Sequence, residues 1–278
     1  MIGSLLTGAV LVYGGFCAVL FLFQERLIFV RQPLPADTIA LVHRLHPDAE
    51  EFRVKVADGV SVHGWFRHGP VSGRSPLLIY FGGNAEEVSW IMEDLGRHPR
   101  LAAAMINYRG YGLSDGSPSE ATLTADAVAI YDALVVRPDV DPDRVILMGR
   151  SLGSGVAVYL ATQRPVRGLV LVSPYDSLTG VAQSLYPAFP VSALIRHRFD
   201  SLSRAPTLAT PLLALGGTAD TLVKAERSRT LVAAWKGHAR FEALEGADHG
   251  DIMLHPQFWP KVNAFLDELL GAPVPQGR

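Results

Sequence analysis

The longest apolar run of the chain lies near its N-terminus. Between residues 2 and 23 the only polar side chains are Ser4 and Thr7, and the first charged side chain is Glu25. A helix of that length rises about 33 Å, which is enough to cross a hydrocarbon core of about 30 Å. The pattern therefore predicts a transmembrane helix over residues 2–24 and a single-pass attachment to a membrane.

A buried core helix and a cleaved signal peptide are the alternatives to a membrane anchor. A signal peptide needs a basic start, an apolar core of about 7–15 residues and a small-x-small cleavage site. Here no Lys or Arg precedes the run, the run is longer, and Phe21-Leu22-Phe23 is no cleavage site. Arg26 and Arg31 follow the run, so the positive-inside rule favours a cytoplasmic position for the remaining domain.

Beyond residue 50, short apolar runs predict the strands of a sheet. The runs 52–56 and 60–66 alternate between apolar and polar residues around Asp58-Gly59, which predicts a hairpin. The later runs show no alternation, which is typical of parallel strands buried on both faces. They lie at residues 77–81, 102–106, 145–148, 169–172, 212–215 and 241–244.

Apolar residues at helical spacing predict helices between and after these runs. The two clearest stripes are Leu123, Ala127, Ile130 and Leu134, and Phe258, Val262, Phe265 and Leu269. The tetrapeptide Ser117-Pro118-Ser119-Glu120 predicts the start of the first helix as a capping box with proline at the first helical position. Strands that alternate with helices predict an α/β fold with a mostly parallel sheet and helices on both faces.

One interval interrupts the alternation of strands and helices. About forty residues between Ser173 and Pro211 contain no strand pattern, and connections of that length are usually functional. We interpret the interval as a small cap insertion at about residues 175–205. The predicted organisation is a transmembrane anchor at 2–24, a linker at 25–50, an α/β domain at 51–270 and a tail at 271–278.

Composition narrows the classes of function. The chain has 278 residues, of which 49% are hydrophobic and 19% charged, and its formal net charge is −2. A chain this apolar is not disordered, and a net charge of −2 gives no excess of basic residues with which to bind nucleic acid. The single cysteine, Cys17, excludes a disulfide framework and a cysteine-based zinc site.

The pattern G-x-S-x-G occurs twice, at residues 112–116 and 149–153. It carries chemistry only as a sharp turn from a strand into a helix. Ser151 meets this condition, because it follows the strand pattern at 145–148 and precedes an apolar helical run. The helix N-terminus would also place N–H groups and a positive dipole end beside it. Ser114 lies in a loop before the capped helix, and we interpret it as structural.

A serine hydroxyl becomes a good nucleophile only with a base, and the base needs an acid that orients it. In this architecture the acid and the histidine follow the serine in that order, each after a later strand. His249 follows the strand pattern at 241–244, and Asp220 follows the one at 212–215. Asp176, which follows the run at 169–172, is the main rival of Asp220.

These motifs together resemble the α/β-hydrolase fold family, over residues 20–270. The stretch Asn107-Tyr108-Arg109-Gly110-Tyr111-Gly112-Leu113-Ser114 resembles the NYRGYG-x-S stretch of one subgroup. That subgroup contains N-terminally membrane-anchored, single-domain serine hydrolases, protein depalmitoylases among them. The resemblance implies the α/β-hydrolase fold and a triad of Ser151, Asp220 and His249, which requires no metal and no organic cofactor.

Acyl transfer also needs donors for the oxygen that becomes negatively charged in the tetrahedral intermediate. The N–H of Leu152, the residue after the serine, is the first expected donor. The second comes from the loop at residues 80–85, and we assign it to the N–H of Asn84. In the subgroup this loop usually reads H-G-N-A, and here Gly82 replaces the histidine. The donor is a main-chain group, so the replacement leaves it in place.

The sequence therefore predicts a serine hydrolase that cleaves carboxylic esters or thioesters through an acyl-enzyme. An aromatic cap next to a membrane favours a small-molecule or lipid-like acyl substrate, and the expected substrate contacts are Tyr175, Leu185, Tyr186 and Phe189. Two alternatives remain open. A serine aminopeptidase-like enzyme would use the same triad with an acidic cluster for the α-amine, and a non-catalytic membrane-tethered binding module would keep only the fold.

Overall fold

Eight strands form one mixed, mostly parallel sheet in the computed structural model, which describes residues 2–69 and 73–271. The strands are β1 (Ala49–Lys55), β2 (Ser61–Arg67), β3 (Ser75–Phe81), β4 (Ala102–Ile106), β5 (Val140–Arg150), β6 (Gly168–Val172), β7 (Leu212–Gly217) and β8 (Ala239–Leu244). Their spatial order is β1-β2-β4-β3-β5-β6-β7-β8. β2 pairs antiparallel with β1 and β4, and the pairings from β4 through β3 to β8 are parallel. The predicted mostly parallel sheet is confirmed.

Ten helices occur among the described residues. They are α1 (Ile2–Ile28), α2 (Thr38–Leu45), α3 (Met92–Gly96), α4 (Glu120–Val135), α5 (Leu152–Gln163), α6 (Leu178–Leu185), α7 (Val191–Leu194), α8 (Ser201–Arg204), α9 (Ala225–Ala233) and α10 (Phe258–Leu270). The predicted tail at 271–278 lies outside the described residues, except for Gly271.

The core lies on both faces of the sheet, because apolar side chains of the central strands are buried on both sides. All seven residues of β3 are buried. Its Ile79 belongs to the cluster that contains the stripe of α4, and its neighbour Leu78 belongs to the cluster that contains the stripe of α10. The two predicted stripes therefore cover opposite faces, and the carboxyl ends of the parallel strands are free to carry a site.

The start of α4 differs from the prediction by two residues. The N-cap is Ser119, whose Oγ accepts the N–H of Thr122 at 3.1 Å, while Thr122 Oγ1 accepts the N–H of Ser119 at 2.9 Å. Serine and threonine form this capping box without Glu120, so Pro118 precedes the helix instead of opening it. The hairpin between β1 and β2 turns at Asp58 and Gly59 as predicted, with φ angles of 62° and 71°.

The segment predicted as a linker is more ordered than the prolines in it indicate. Residues 25–50 contain the last turn of α1, the whole of α2 and the start of β1. Phe29 and Val42 are buried against the two faces of the sheet domain. Burial of these side chains stabilises the segment on the domain surface, and sequence periodicity does not report such contacts.

Helix α1 is long and apolar enough over Leu6–Ile28 to cross a membrane, which is a property of an anchor and also of a signal sequence. Between β6 and β7 the chain forms α6, α7, α8 and a 3-10 turn at Ala205–Thr207. These short helices occupy the interval predicted as a cap insertion and are called the cap below. Helix α1 packs against α7.

Candidate active site

The turn from strand β5 to helix α5 consists of one residue, Ser151. β5 ends at Arg150 and α5 begins at Leu152, so no other residue connects them. The backbone of Ser151 has φ 48° and ψ −114°, and its N–H donates to the carbonyl oxygen of Val172 at 2.8 Å. A non-glycine residue adopts such angles only where the surrounding structure enforces them. The side chain therefore projects from the carboxyl edge of the sheet.

The glycines of the motif are needed because backbone passes close to both of them. A Cβ at Gly149 would lie 2.4 Å from the carbonyl oxygen of Gly153. A Cβ at Gly153 would lie 2.1 Å from the carbonyl oxygen of Phe81, at the end of β3. Any side chain at either position would force strand and helix apart. Because the turn is made by one residue, the positions two residues before and after Ser151 must both be glycine, which is the spacing G-x-S-x-G.

The structure brings Ser151, His249 and Asp220 together. Ser151 Oγ lies 3.0 Å from His249 Nε2, and His249 Nδ1 lies 2.7 Å from Asp220 Oδ2. An ionised carboxylate only accepts hydrogen bonds, so the ring proton belongs on Nδ1 and leaves Nε2 free to accept from the serine. The three residues follow β5, β7 and β8, whose carboxyl ends meet at one edge of the sheet.

The Asp220 carboxylate is buried but well supplied with donors. Its Oδ1 accepts the N–H groups of Leu222 at 3.0 Å and Val223 at 2.7 Å, and its Oδ2 faces His249. Burial acts to raise the pKa of Asp220, but the hydrogen bonds from His249 and from the Val223 N–H outweigh it and hold this pKa below its ordinary value. Asp220 is therefore an anion at neutral pH.

The rival residues have other partners. Asp176 forms an ion pair with Arg227, whose Nη1 lies 2.8 Å from its Oδ1, and it does not reach His249. Ser114 Oγ accepts the N–H of His63 and donates to the carbonyl oxygen of Asn107, each at 2.8 Å. These contacts join the loop of Ser114 to β2 and to the residue that follows β4, which agrees with a structural role for Ser114.

Leu152 and Asn84 both line the cavity at Ser151. Within residues 2–69 and 73–271, neither N–H group has a hydrogen-bond partner. The Asn84 side chain holds its own loop: Oδ1 accepts the N–H of Ala85 at 2.9 Å, the N–H of Val30 at 2.8 Å and the hydroxyl of Tyr111 at 3.0 Å. Two unpaired donors beside the nucleophile can bind a developing oxyanion.

The loop remains anchored although Gly82 stands where the subgroup usually has histidine. The hydroxyl of Tyr108 donates to the carbonyl oxygen of Gly82 at 2.7 Å. The N–H of the next residue, Gly83, donates to Glu86 Oε2 at 2.6 Å. Two consecutive main-chain groups of the turn are thus held, one by Tyr108 from the loop after β4 and one by Glu86 from the loop after β3, to which the turn itself belongs.

Nothing in the sequence pattern predicts the ion pair between the buried Glu86 and the partly buried Arg150. Glu86 accepts from the Tyr80 hydroxyl at 2.6 Å, from Gly83 N–H, from Trp90 Nε1 at 3.1 Å and from Arg150 Nη1 at 2.9 Å. Burial, and then the Glu86 carboxylate, raise the pKa of Tyr80 well above its ordinary value, so this phenol stays a donor. Arg150 Nη2 also donates to the carbonyl oxygen of His249 at 3.1 Å. One ion pair therefore links the loop after β3, where the second oxyanion donor is predicted (residues 82–86, the oxyanion loop), to the loop after β8 that carries His249.

A cavity of about 340 Å³ opens at Ser151. All four cap residues predicted as substrate contacts, Tyr175, Leu185, Tyr186 and Phe189, line it. Tyr175 also donates its hydroxyl to the carbonyl oxygen of Leu152 at 3.3 Å, so it supports the turn as well. Helix α1 also lines the cavity, through Leu20, Gln24, Leu27 and Ile28. The sequence pattern predicts only an anchor or a linker for these residues.

The described residues offer no group of three or more His, Cys, Asp or Glu side chains that could hold a metal ion. They do place a hydroxyl, an imidazole, a carboxylate and two unpaired main-chain donors around one apolar cavity. These are the groups that acyl transfer to a serine uses.

Comparisons with known proteins agree with the fold. A family model described as alpha/beta hydrolase fold matches residues 76–194. An uncharacterized protein of Mycobacterium tuberculosis is 34% identical over 249 residues, covering 87% of this chain and 85% of that protein. The alpha/beta hydrolase domain-containing protein WAV2 of Arabidopsis thaliana is 27% identical over 252 residues, covering 81% and 79%. The structure of an alpha/beta hydrolase from Vibrio vulnificus has a TM-score of 0.68 at 20% identity, covering 89% and 91%.

The link through Glu86 yields a testable prediction. In Glu86→Gln only one of the two side-chain oxygens remains an acceptor, and the negative charge that Arg150 faces is lost. Either Gly83 and Arg150, which share Oε2, or Tyr80 and Trp90, which share Oε1, then lose their acceptor. We expect kcat for p-nitrophenyl butyrate to fall about 10- to 100-fold with KM changed less than about three-fold, because the misplaced groups act in the transition state.

The control is Glu87→Gln, whose carboxylate accepts from Ser89 and Asn107 and does not touch the oxyanion loop. It should keep kcat within about three-fold of the wild type. Equal decreases of kcat in the two variants would refute the positioning role of Glu86. A decrease in Glu86→Gln that is explained by a lower melting temperature, and hence by unfolding during the assay, would also refute it.

Proposed function

The chain belongs to the alpha/beta hydrolase fold family, and from this premise we propose that it is a serine hydrolase acting on carboxylic esters or thioesters. Relatives of this fold make hydrolytic activity the general expectation. The observation that carries the finer proposal is the hydrogen-bonded series from Ser151 Oγ through both nitrogens of His249 to Asp220.

In the first half of the proposed reaction, Ser151 Oγ attacks the acyl carbon while its proton passes to His249 Nε2. The bond from the acyl carbon to the leaving oxygen or sulfur then breaks, and His249 returns the proton to the leaving group. In the second half, water attacks the acyl-enzyme and gives its proton to His249. The carboxylic acid leaves, and the proton restores the Ser151 hydroxyl.

Charge is stabilised at two points in this reaction. The oxyanion accepts from the N–H groups of Leu152 and Asn84, and each such donor contributes about 3 kcal/mol to the lower barrier. The imidazolium that forms at His249 faces the Asp220 anion across the 2.7 Å hydrogen bond. Because two main-chain N–H groups hold the other carboxylate oxygen, Asp220 also fixes the orientation of the ring.

The cavity supports an acyl substrate over a peptide with a free α-amine. Its lining is aliphatic or aromatic apart from Gln24, Asn84 and Ser151. An apolar acyl chain gains free energy from burial in such a cavity, whereas an ammonium group would lose its hydration there.

We propose further that α1 is retained in the mature protein as a membrane anchor. Gln24 is only 7% exposed, and its side chain joins α1 to the cap. Its Nε2 donates to the carbonyl oxygen of Leu194 at 3.0 Å, and its Oε1 accepts the N–H of Arg196 at 2.7 Å. Glu25 adds an ion pair with Arg196 at 3.2 Å. Cleavage of a signal sequence would remove these partners and open one wall of the cavity.

The nucleophile is tested by labelling with a fluorophosphonate. The wild-type protein should be labelled, and Ser151→Ala should lose the label completely, because no other serine in residues 2–69 and 73–271 is hydrogen-bonded to His249. Ser114→Ala is the matched control, since Ser114 occupies the second G-x-S-x-G motif. It should keep the label and lose only about 1–2 kcal/mol of stability with its hydrogen bonds.

Two substrates then separate the alternatives. We expect hydrolysis of p-nitrophenyl butyrate and none of alanine p-nitroanilide. A folded wild-type protein that takes no label would refute the hydrolase proposal and favour a binding module. Cleavage of the anilide alone would favour the peptidase.

The anchor is tested by the intact mass of the protein extracted from membranes. We expect a mass that includes α1, and a protein that stays in the membrane fraction at alkaline pH. A mature chain that begins after residue 24 would identify α1 as a cleaved signal sequence and contradict this part of the proposal.

A further inference from the structure

One face of α1 is turned toward the cap. Residues 13, 17, 20, 24 and 27 recur at intervals of four and three, so they form one stripe along the helix. Within this stripe Leu20, Gln24 and Leu27 line the cavity at Ser151. Leu22, on the opposite face, is 67% exposed and lines no part of it.

Polar contacts and ring stacking hold α1 in this position along three turns. The hydroxyl of Tyr13 donates to the carbonyl oxygen of Ala188 at 2.8 Å, and its ring stacks on Phe189 with 5.7 Å between centroids. Gln24, eleven residues later, is bonded to Leu194 and Arg196. The helix is therefore fixed to the cap on both sides of the cavity.

A residue that follows α1 is also hydrogen-bonded to the oxyanion loop, through the side chain of Asn84. The N–H of Val30 donates to Asn84 Oδ1 at 2.8 Å, and Phe29 is buried in the core beneath it. The position of α1 is thus coupled directly to the loop that supplies the second oxyanion donor.

The part of the cap that meets α1 has a composition suited to lipid. The cap loop, residues 185–191, reads Leu-Tyr-Pro-Ala-Phe-Pro-Val and contains no charge. Leu185 and Tyr186 are 43% and 48% exposed. The loop's carbonyl at Phe189 accepts from Gln183 Nε2 at 3.2 Å and from the N–H of Val191 at 2.9 Å, so internal donors satisfy it.

The length of α1 indicates where this loop would lie. From Gln24 back to Tyr13 the helix rises about 16 Å, which is about the depth of one leaflet. If the membrane-spanning part of α1 ends near Glu25, the cap loop, which contacts Tyr13, lies within the hydrocarbon of the bilayer. The mouth of the cavity then opens to the lipid.

We propose that α1 is a wall of the acyl-binding pocket, that Leu20 sets the chain length the pocket accepts, and that the chain enters from the lipid between α1 and the cap loop. This inference rests on the proposed esterase activity and extends it. The substrate class is an ester or thioester whose acyl chain already lies in the bilayer, so that the chain exchanges one apolar environment for another.

The test compares Leu20→Trp with Leu22→Trp in the full chain, reconstituted in detergent micelles. The added ring of Leu20→Trp projects into the cavity, so the ratio of kcat/KM for p-nitrophenyl palmitate to kcat/KM for p-nitrophenyl butyrate should fall at least about ten-fold. Leu22→Trp makes the same change on the outer face and should leave the ratio of the two substrates unaltered.

The outcomes separate this inference from the proposed function. Fluorophosphonate labelling of Leu20→Trp shows that the variant is folded. If Leu20→Trp is not labelled, the same comparison of substrates is made with Leu27→Trp, which must itself be labelled. The role of α1 alone would be overturned if the wild type hydrolyses the butyrate ester and the labelled variant shows an unchanged ratio of the two substrates. An equal loss of activity on both substrates leaves this ratio unchanged and has the same meaning. A wild type without label or activity would overturn the proposed function, and this inference with it.

Discussion

The turn at Ser151 is the constraint on which the site depends. A strand and a helix joined by one residue can pass each other only where that residue accepts a strained backbone and its neighbours two positions away have no side chain. The same turn places the N–H of Leu152 at the start of α5, where it has no helical partner. It also brings Gly153 against the carbonyl oxygen of Phe81, and this contact sets the distance between the nucleophile and the oxyanion loop.

Once that turn is formed, the parallel sheet supplies the other groups. β7 and β8 end at the same edge as β5, so short loops after them are enough to bring Asp220 and His249 within hydrogen-bond distance. The loops still need orientation, and here the ion pair of Glu86 and Arg150 contributes by joining the loop after β3 to that after β8. A carboxylate with four donors loses little by burial, because each lone pair that left water has found a new partner.

The sequence was sufficient for the features that depend on local order along the chain. Strand runs, the stripes of α4 and α10 and the order of Ser151, Asp220 and His249 all follow from periodicity and motif spacing. Contacts between distant segments were not accessible in this way. Gln24 meets Leu194 across 170 residues, and a helix that is apolar on every face gives no periodic signal for the side it will turn to the cap. Glu86 resembles any surface carboxylate until its four donors are seen.

These contacts make α1 part of the site as well as the proposed attachment to a membrane, and the central claim is that an acyl chain on Ser151 lies between α1 and the cap. The most direct measurement uses a long-chain fluorophosphonate with a diazirine near the end of its alkyl chain, followed by photolysis and peptide mass spectrometry. The account predicts a phosphonate on Ser151 whose chain is cross-linked to residues 20–28 or to the cap loop. A phosphonate on another serine, or a chain on Ser151 captured only by detergent, would contradict it.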